Sequence, residues 1–180
     1  MSDAIRQAAA AEVRKHRRLL RTGRDGRILS ALMLPLLRLA PPNGYGVLTT
    51  TGRKTGKLRR KCMRMVQDGD RIYLVALRLP HIAVNNPGAV QAWVHNIRAN
   101  PTVRVRIGGG DFTGIAHEIT DSDERERARE LICDTVFPND YGECALHLRG
   151  SPSRVKVREL HRYWFDTGIP IAIDLKETHP

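Results

Sequence analysis

Residues 45–79, YGVLTTTGRKTGKLRRKCMRMVQDGDRIYLVALRL, hold three apolar or β-branched runs separated by two turn signals. The first run, 45–51, is rich in Val and Thr and stops at Gly52, as a strand entering a turn does. The second, 59–67, alternates Arg60, Cys62, Arg64 and Val66 against Lys61, Met63 and Met65, the two-residue period of an extended chain. Asp68-Gly69 is a two-residue hairpin signal. The third run, 71–79, is rich in Ile, Tyr, Leu and Val. A three-stranded meander is expected.

Working outward, Asn85-Asn86-Pro87-Gly88 closes a loop over 80–88, and a short helix is expected over 89–99 with Trp93 and Ile97 four apart. Val103, Val105 and Ile107 alternate with Thr102, Arg104 and Arg106 in a half-buried strand. Gly108 to Gly110 turns it, and 112–119 returns beside it. Thr120 or Asp121 caps a helix running to about 137–138, with acidic residues in its first turn. A loop is expected around 139–142, a further helix over 152–165, and a last strand at 169–175. Upstream, 2–22 reads as an Ala- and Arg-rich helix with an apolar stripe at Ile5, Ala9, Val13, His16 and Leu20. Residues 28–40 read first as a short helix lying on the core and second as a membrane-surface contact, being too short to span a bilayer. Strands joined mainly by tight turns call for an antiparallel sheet or small barrel. The fold class is therefore α+β, mainly β, with about six strands and peripheral helices. The basic helical extension is set at 1–42 and the barrel at 43–180.

The 180 residues carry 30 Lys and Arg against 19 Asp and Glu, a net charge of +11. Residues 1–61 hold 15 of those cations and 3 of the acids, so the N-terminal third carries the whole excess. An anionic partner for that part follows: a polyanionic small molecule, an acidic membrane surface or nucleic acid. Scarce aromatics, 5% of the chain, argue against a single-strand stacking platform. Three cysteines without a C-x-x-C pair make no disulfide framework, which points to a reducing cytoplasm. Dispersed histidines and no H-E-x-x-H leave no metal site expected.

One stretch carries chemistry. In Thr49-Thr50-Thr51-Gly52-Arg53-Lys54-Thr55-Gly56, two glycines let backbone N–H groups converge and two adjacent cations add charge, which suits a phosphate or carboxylate. Arg59 on the next strand can face the same anion.

LTTTGRKTG, with the basic pair, D-G hairpin and apolar strand that follow, resembles the deazaflavin-dependent nitroreductase family. The resemblance continues in Trp93, Asn96 and Ala99-Asn100-Pro101 and in the terminal I-P-I strand, covering about residues 43–175. It implies a split β-barrel and coenzyme F420, an 8-hydroxy-5-deazaflavin with a phosphodiester and a glutamate tail; FMN is the second choice. Arg53, Lys54, Thr55 and Arg59 are implied as phosphate and tail ligands, with Met63, Arg78 and Trp93 also set on the cofactor, Trp93 reading first as a core anchor and second as a stacking partner. A hydroxyl residue, a Lys and Gly-Gly usual in the family are here Leu77 and Arg78 without the glycines, and Arg64 stands where an aromatic often lies. The implied reaction is hydride transfer from reduced F420 to a quinone, nitroaromatic or similar small-molecule acceptor.

Tyr141 is the expected acceptor-side contact or proton donor, ahead of His81 in the long 79–91 loop. The partners expected beyond the acceptor are a peripheral membrane surface touched by the N-terminal region and a second copy in a homodimer. Two rivals stand beside this reading. One is a non-catalytic F420-, flavin- or haem-binding barrel, and the other a nucleic-acid-binding protein using the basic N-terminal helix.

Overall fold

A computed structural model describes residues 3–14, 28, 31–35, 42–78, 90–108 and 110–176. Helix α1 (Asp3–Val13) precedes strand β1 (Tyr45–Thr51), β2 (Leu58–Arg64), β3 (Val66–Asp68) and β4 (Arg71–Ala76). Helix α2 (Ala92–Ala99), the β5 (Thr102–Ile107)–β6 (Gly110–Glu118) hairpin, helices α3 (Ser122–Asp134), α4 (Pro138–His147) and α5 (Arg154–Thr167), and β7 (Ile169–Leu175) complete the order.

The seven strands form one sheet in the order β2-β1-β5-β6-β7-β4-β3, with every pairing antiparallel. The two end strands are consecutive in the chain, separated only by Met65. The sheet must therefore curl until its ends meet across one residue, which makes the split β-barrel. The expected single run 59–67 is thus two strands. Its break sits at Met65, whose side chain is fully buried and whose N–H donates to Gly44 O at 2.8 Å. The expected meander is corrected accordingly: β2 pairs with β1, β3 with β4, and the two hairpins flank the split.

The interior is filled by Leu48, Ile72, Leu74, Val103, Val105 and Ile173, plugged by Trp93, Val94 and Ile97 of α2. Strand β5 buries alternate residues because one face is covered, whereas β4 and β7 are buried almost throughout because α3 and α5 cover their outer face. Asp121 caps α3, its Oδ1 accepting from Glu124 N at 2.8 Å. A third cluster gathers Val13 of α1 with Cys144, Leu148, Val157 and Trp164 of the α4–α5 segment. The basic extension thus begins with a helix docked on the barrel's own last helix, tied also by Arg6–Glu159 and Lys156–Glu12 ion pairs.

Three helix boundaries move. The helix expected from 89 starts at Ala92, α3 ends at Asp134, and the expected loop at 139–142 lies inside α4. Pro138 opens α4, where its missing N–H costs nothing, and Asp140 accepts from the Phe137 N–H at 2.8 Å. Residues 31–35 are helical as expected, but Leu32 is 69% exposed and does not lie on the core. The remainder of the expected 2–22 and 28–40 helices and His81 lie outside the described residues. Among the described residues no helix is long and apolar enough to cross a membrane.

Candidate functional site

The β1–β2 turn is a tight, cation-rich curl. Gly52 O accepts from Thr55 N at 3.2 Å and from Gly56 N at 2.8 Å, and Gly52 N donates to Lys57 O at 2.9 Å. Gly56 has φ +64°, the left-handed region that glycine adopts without strain. A Cβ at Gly52 would meet Lys57 O at 3.0 Å, so the curl is tight at both ends. Thr55 Oγ1 accepts from Lys57 N. Helix α2 fixes the turn from behind: Arg53 N donates to Asn96 Oδ1 at 3.1 Å, and Asn96 Nδ2 donates to Thr50 Oγ1 at 3.1 Å. Arg53, Lys54, Lys57 and Arg59 are exposed, and none pairs with a carboxylate among the described residues.

Strand alternation puts Arg59, Lys61 and Met63 on one face of β2, passing from exposed to half-buried toward the barrel interior, where Met63 packs. That face leads into a cavity of about 130 Å³, open at its mouth, in the split between β2 and β4. Lys61, Met63, Leu74, Leu77, Gln91 and Trp93 line one side. Gln91 joins them: its Oε1 accepts from Trp93 Nε1 at 2.8 Å and from Lys61 Nζ, and its Nε2 donates to Leu77 O at 2.7 Å. The Lys61 ammonium stands 6.0 Å from the Trp93 ring centre, and burial pushes its pKa down to about 8.

Arg64, Ile132, Glu143, His161 and Trp164 form the other side. Arg64 Nε donates to Asp140 Oδ1 at 3.1 Å and its Nη2 to Thr135 O at 2.7 Å, with the guanidinium 5.6 Å from the Phe137 ring centre. Tyr45 Oη lies 3.0 Å from Asp140 Oδ1 and 2.6 Å from Glu143 Oε2. Burial, and then the two carboxyl groups, raise the Tyr45 phenol well above its ordinary range. Burial also raises the Glu143 carboxyl, against the opposing pull of the Tyr45 hydrogen bond and Arg64. His161 is 2% exposed; burial first, and Arg64 second, push its pKa down to about 2, so the ring is neutral.

The structure divides the expected residues between the turn and the cavity. Arg53, Lys54, Thr55 and Arg59 form the cationic turn, and Met63 and Trp93 line the cavity. Arg78 follows Leu77 at the end of the segment leaving β4, and its Nε is buried without a hydrogen-bond partner among the described residues. Tyr141 packs against the cluster of α1, α4 and α5 and is not among the residues that line the cavity. Lys61, Gln91, Glu143 and His161 also line the cavity, and none of them is expected from the sequence. Lys61 had a signal in its register with Met63, whereas no motif marked Glu143 or His161.

These donors suit a multiply anionic, flat cofactor: unpaired cations on a turn, an orphaned buried guanidinium nitrogen, and an apolar cavity with few polar groups. The family model for F420H(2)-dependent quinone reductase matches residues 38–149. The structure of an F420-H2 dependent reductase, FDR-A, is similar at 25% identity with a TM-score of 0.50, over 76% of this chain and 97% of that one. A protein solved as a domain-swapped dimer is also 25% identical, with a TM-score of 0.49 over 75% of this chain and 81% of that one.

Proposed function

The chain belongs to the F420H(2)-dependent quinone reductase family, and from that membership we propose that it transfers a hydride from reduced F420 to a quinone held in the split of the barrel. Nitroaromatics and other conjugated acceptors are the further substrates of this reading. One observation carries it. The cationic turn and the cavity are connected along one face of β2, through Arg59, Lys61 and Met63.

Arg53, Lys54, Thr55 and Arg59 hold the phosphodiester and glutamate tail, and Arg78 offers its unpartnered Nε to the same anion. FMN, with one phosphate and no glutamate tail, would use fewer of these cations. Trp93 and Met63 pack the flat ring system, and Lys61 places a cation beside it. Reduced F420, when bound, supplies a hydride; the protein supplies orientation, anion anchoring and exclusion of water. Gln91 keeps Lys61, Trp93 and the end of β4 in fixed relation, so a bound ring meets a prearranged wall rather than mobile side chains.

Fluorescence titration of the apoprotein with F420 tests the binding half. Saturable binding is expected, weakened at least about tenfold in an Arg53→Ala/Lys54→Ala variant, since charge-assisted hydrogen bonds contribute roughly 1.5–3 kcal/mol each. Absence of saturable binding would sink the reading. Reduced F420 that binds but is not oxidised by quinone or nitroaromatic compounds would favour a holding protein. Retention on duplex DNA at moderate salt would favour the nucleic-acid rival.

A peripheral membrane contact is favoured by a separate observation. Ile28, Leu32 and Met33 are exposed within the strongly basic N-terminal third. Apolar groups beside cations suit an anionic bilayer surface, where lipid-tailed quinones reside. Co-sedimentation with anionic but not neutral vesicles, lost in Leu32→Ser/Met33→Ser, is the expected result.

A further inference from the structure

The hydroxyl of Tyr45 stands between two carboxyl groups, 3.0 Å from Asp140 Oδ1 and 2.6 Å from Glu143 Oε2. A phenol has one hydrogen and can donate it to only one of them. Asp140 already accepts from Arg64 Nε at 3.1 Å and from the Phe137 N–H at 2.8 Å, with its side chain fully buried. It is the carboxylate that the one nearby guanidinium neutralises. Glu143 makes no hydrogen bond to a guanidinium among the described residues and feels Arg64 only through space; for both contacts of the phenol to be hydrogen bonds a second proton is required, and it falls to Glu143. The consistent arrangement runs from Glu143 O–H to Tyr45 Oη, and from Tyr45 O–H to Asp140. Glu143 also lines the cavity, as do Lys61 and Trp93.

We propose that Glu143 is a neutral carboxylic acid in the resting protein and gives its proton to the oxygen of the bound acceptor, so that the α4–α5 side of the cavity takes conjugated carbonyl compounds. This rests on the reductase reading. As the acceptor takes a hydride, the electron pair of its carbonyl π-bond settles on oxygen. That oxygen forms a bond to the Glu143 proton while the glutamate O–H bond breaks. Glu143 regains a proton from solvent through the cavity mouth, matching the proton that oxidation of the donor releases. His161 is neutral and offers no competing acidic proton near neutral pH.

Burial raises the Glu143 carboxyl, so the acid is present below its raised pKa and turnover falls as pH climbs through it. The groups that face it are Tyr45 from β1, Arg64 from β2, Asp140 from its own helix and His161 from α5, with Lys61 also lining the cavity.

Two measurements on the full chain test this. Infrared difference spectra of the apoprotein at neutral pH, wild type minus Glu143→Gln, should contain the carbonyl band of a protonated acid that shifts in deuterated water. Its absence from the wild type overturns the proposal, whatever the cofactor does. Single-turnover oxidation of bound reduced F420 by a soluble short-chain naphthoquinone gives the second arm. Glu143→Gln should bind F420 within about twofold of wild type and react roughly a hundredfold more slowly, as loss of a general acid does. It should also lose the decline at high pH, which Lys61→Met retains. A wild-type rate and pH profile in Glu143→Gln overturns this proposal and leaves the reductase reading standing. Failure of the wild type to bind F420 overturns both.

Discussion

The backbone N–H of Arg53 donates to Asn96 Oδ1 at 3.1 Å, so the cationic turn is shaped by a side chain on a different element, one that is only 7% exposed. Asn96 spends its amide nitrogen on Thr50, itself buried at the end of β1. The pairing holds the turn open without adding any charge to it.

Replacing Asn96 by Ala therefore separates shape from charge. It leaves every cation in place but strands the Arg53 N–H and the buried Thr50 hydroxyl. A stability loss of about 1–3 kcal/mol is expected for groups left unsatisfied in this way. F420 affinity should fall with it, while the dependence of affinity on salt stays that of wild type. Arg53→Ala/Lys54→Ala should show the complementary pattern, with near-normal stability and a shallower salt dependence. Equal salt dependence in the two variants would count against the division.

Lys61 gives a pH prediction with a definite sign. Burial lowers its pKa to about 8, so it is a cation in the cavity below pH 8 and neutral above. Affinity for the anionic cofactor should drop as pH rises through about 8, by roughly tenfold on the scale of a charge-assisted contact. The Lys61→Met variant should lack that drop. Folding stability moves the other way. Between about 8 and the ordinary lysine value of 10.5 the unfolded chain binds more protons, so the Lys61 contribution to stability rises with pH there. Titrations of F420 fluorescence at fixed ionic strength, paired with denaturation curves, separate the two.

Much of the fold was legible because its elements obey local rules. The alternation at Thr102–Ile107, the Asp121 cap and the apolar Ile169–Leu175 strand each need only their own neighbours to be recognised. The break at Met65 was not legible. It comes from the curl of the sheet, which sends β2 and β3 to opposite ends and leaves one buried residue as the hinge. The site divides likewise. Glycines and adjacent cations announce a tight cationic turn in the sequence itself. The second wall depends on which faces of α4 and α5 meet the split, and nothing near Glu143 or His161 in the chain announces that. Tyr141 and Glu143 are two residues apart on α4, about 200° of rotation, the difference between packing and lining.

Tyr141 is the next test. Its ring packs against the α1–α4–α5 cluster rather than in the cavity. Tyr141→Phe keeps the ring and removes only the hydroxyl, so quinone reduction should stay within about twofold of wild type. A loss near a hundredfold, on the scale of a missing general acid, would return the proton-donor role to this phenol and remove it from Glu143.

Arg64 and Asp140 form the ion pair on which the proton count of the second wall depends. Their side chains are 11% and 0% exposed, and the Nε–Oδ1 distance is 3.1 Å. Arg64→Met leaves a buried carboxyl facing a phenol, a second carboxyl and no cation, and should cost about 3–5 kcal/mol, as breaking a buried pair from one side does. Asp140→Asn leaves the guanidinium without its acid and weakens the cap on the Phe137 N–H. The double variant removes both charges together, so its cost should fall short of the sum of the two single losses by at least about 2 kcal/mol, well beyond the roughly 0.5 kcal/mol scatter of independent sites. Guanidinium denaturation of the four proteins measures that coupling. Additive losses would mean that Arg64 does not neutralise Asp140, and the proton assigned to Glu143 would then belong to the pair of carboxyl groups jointly.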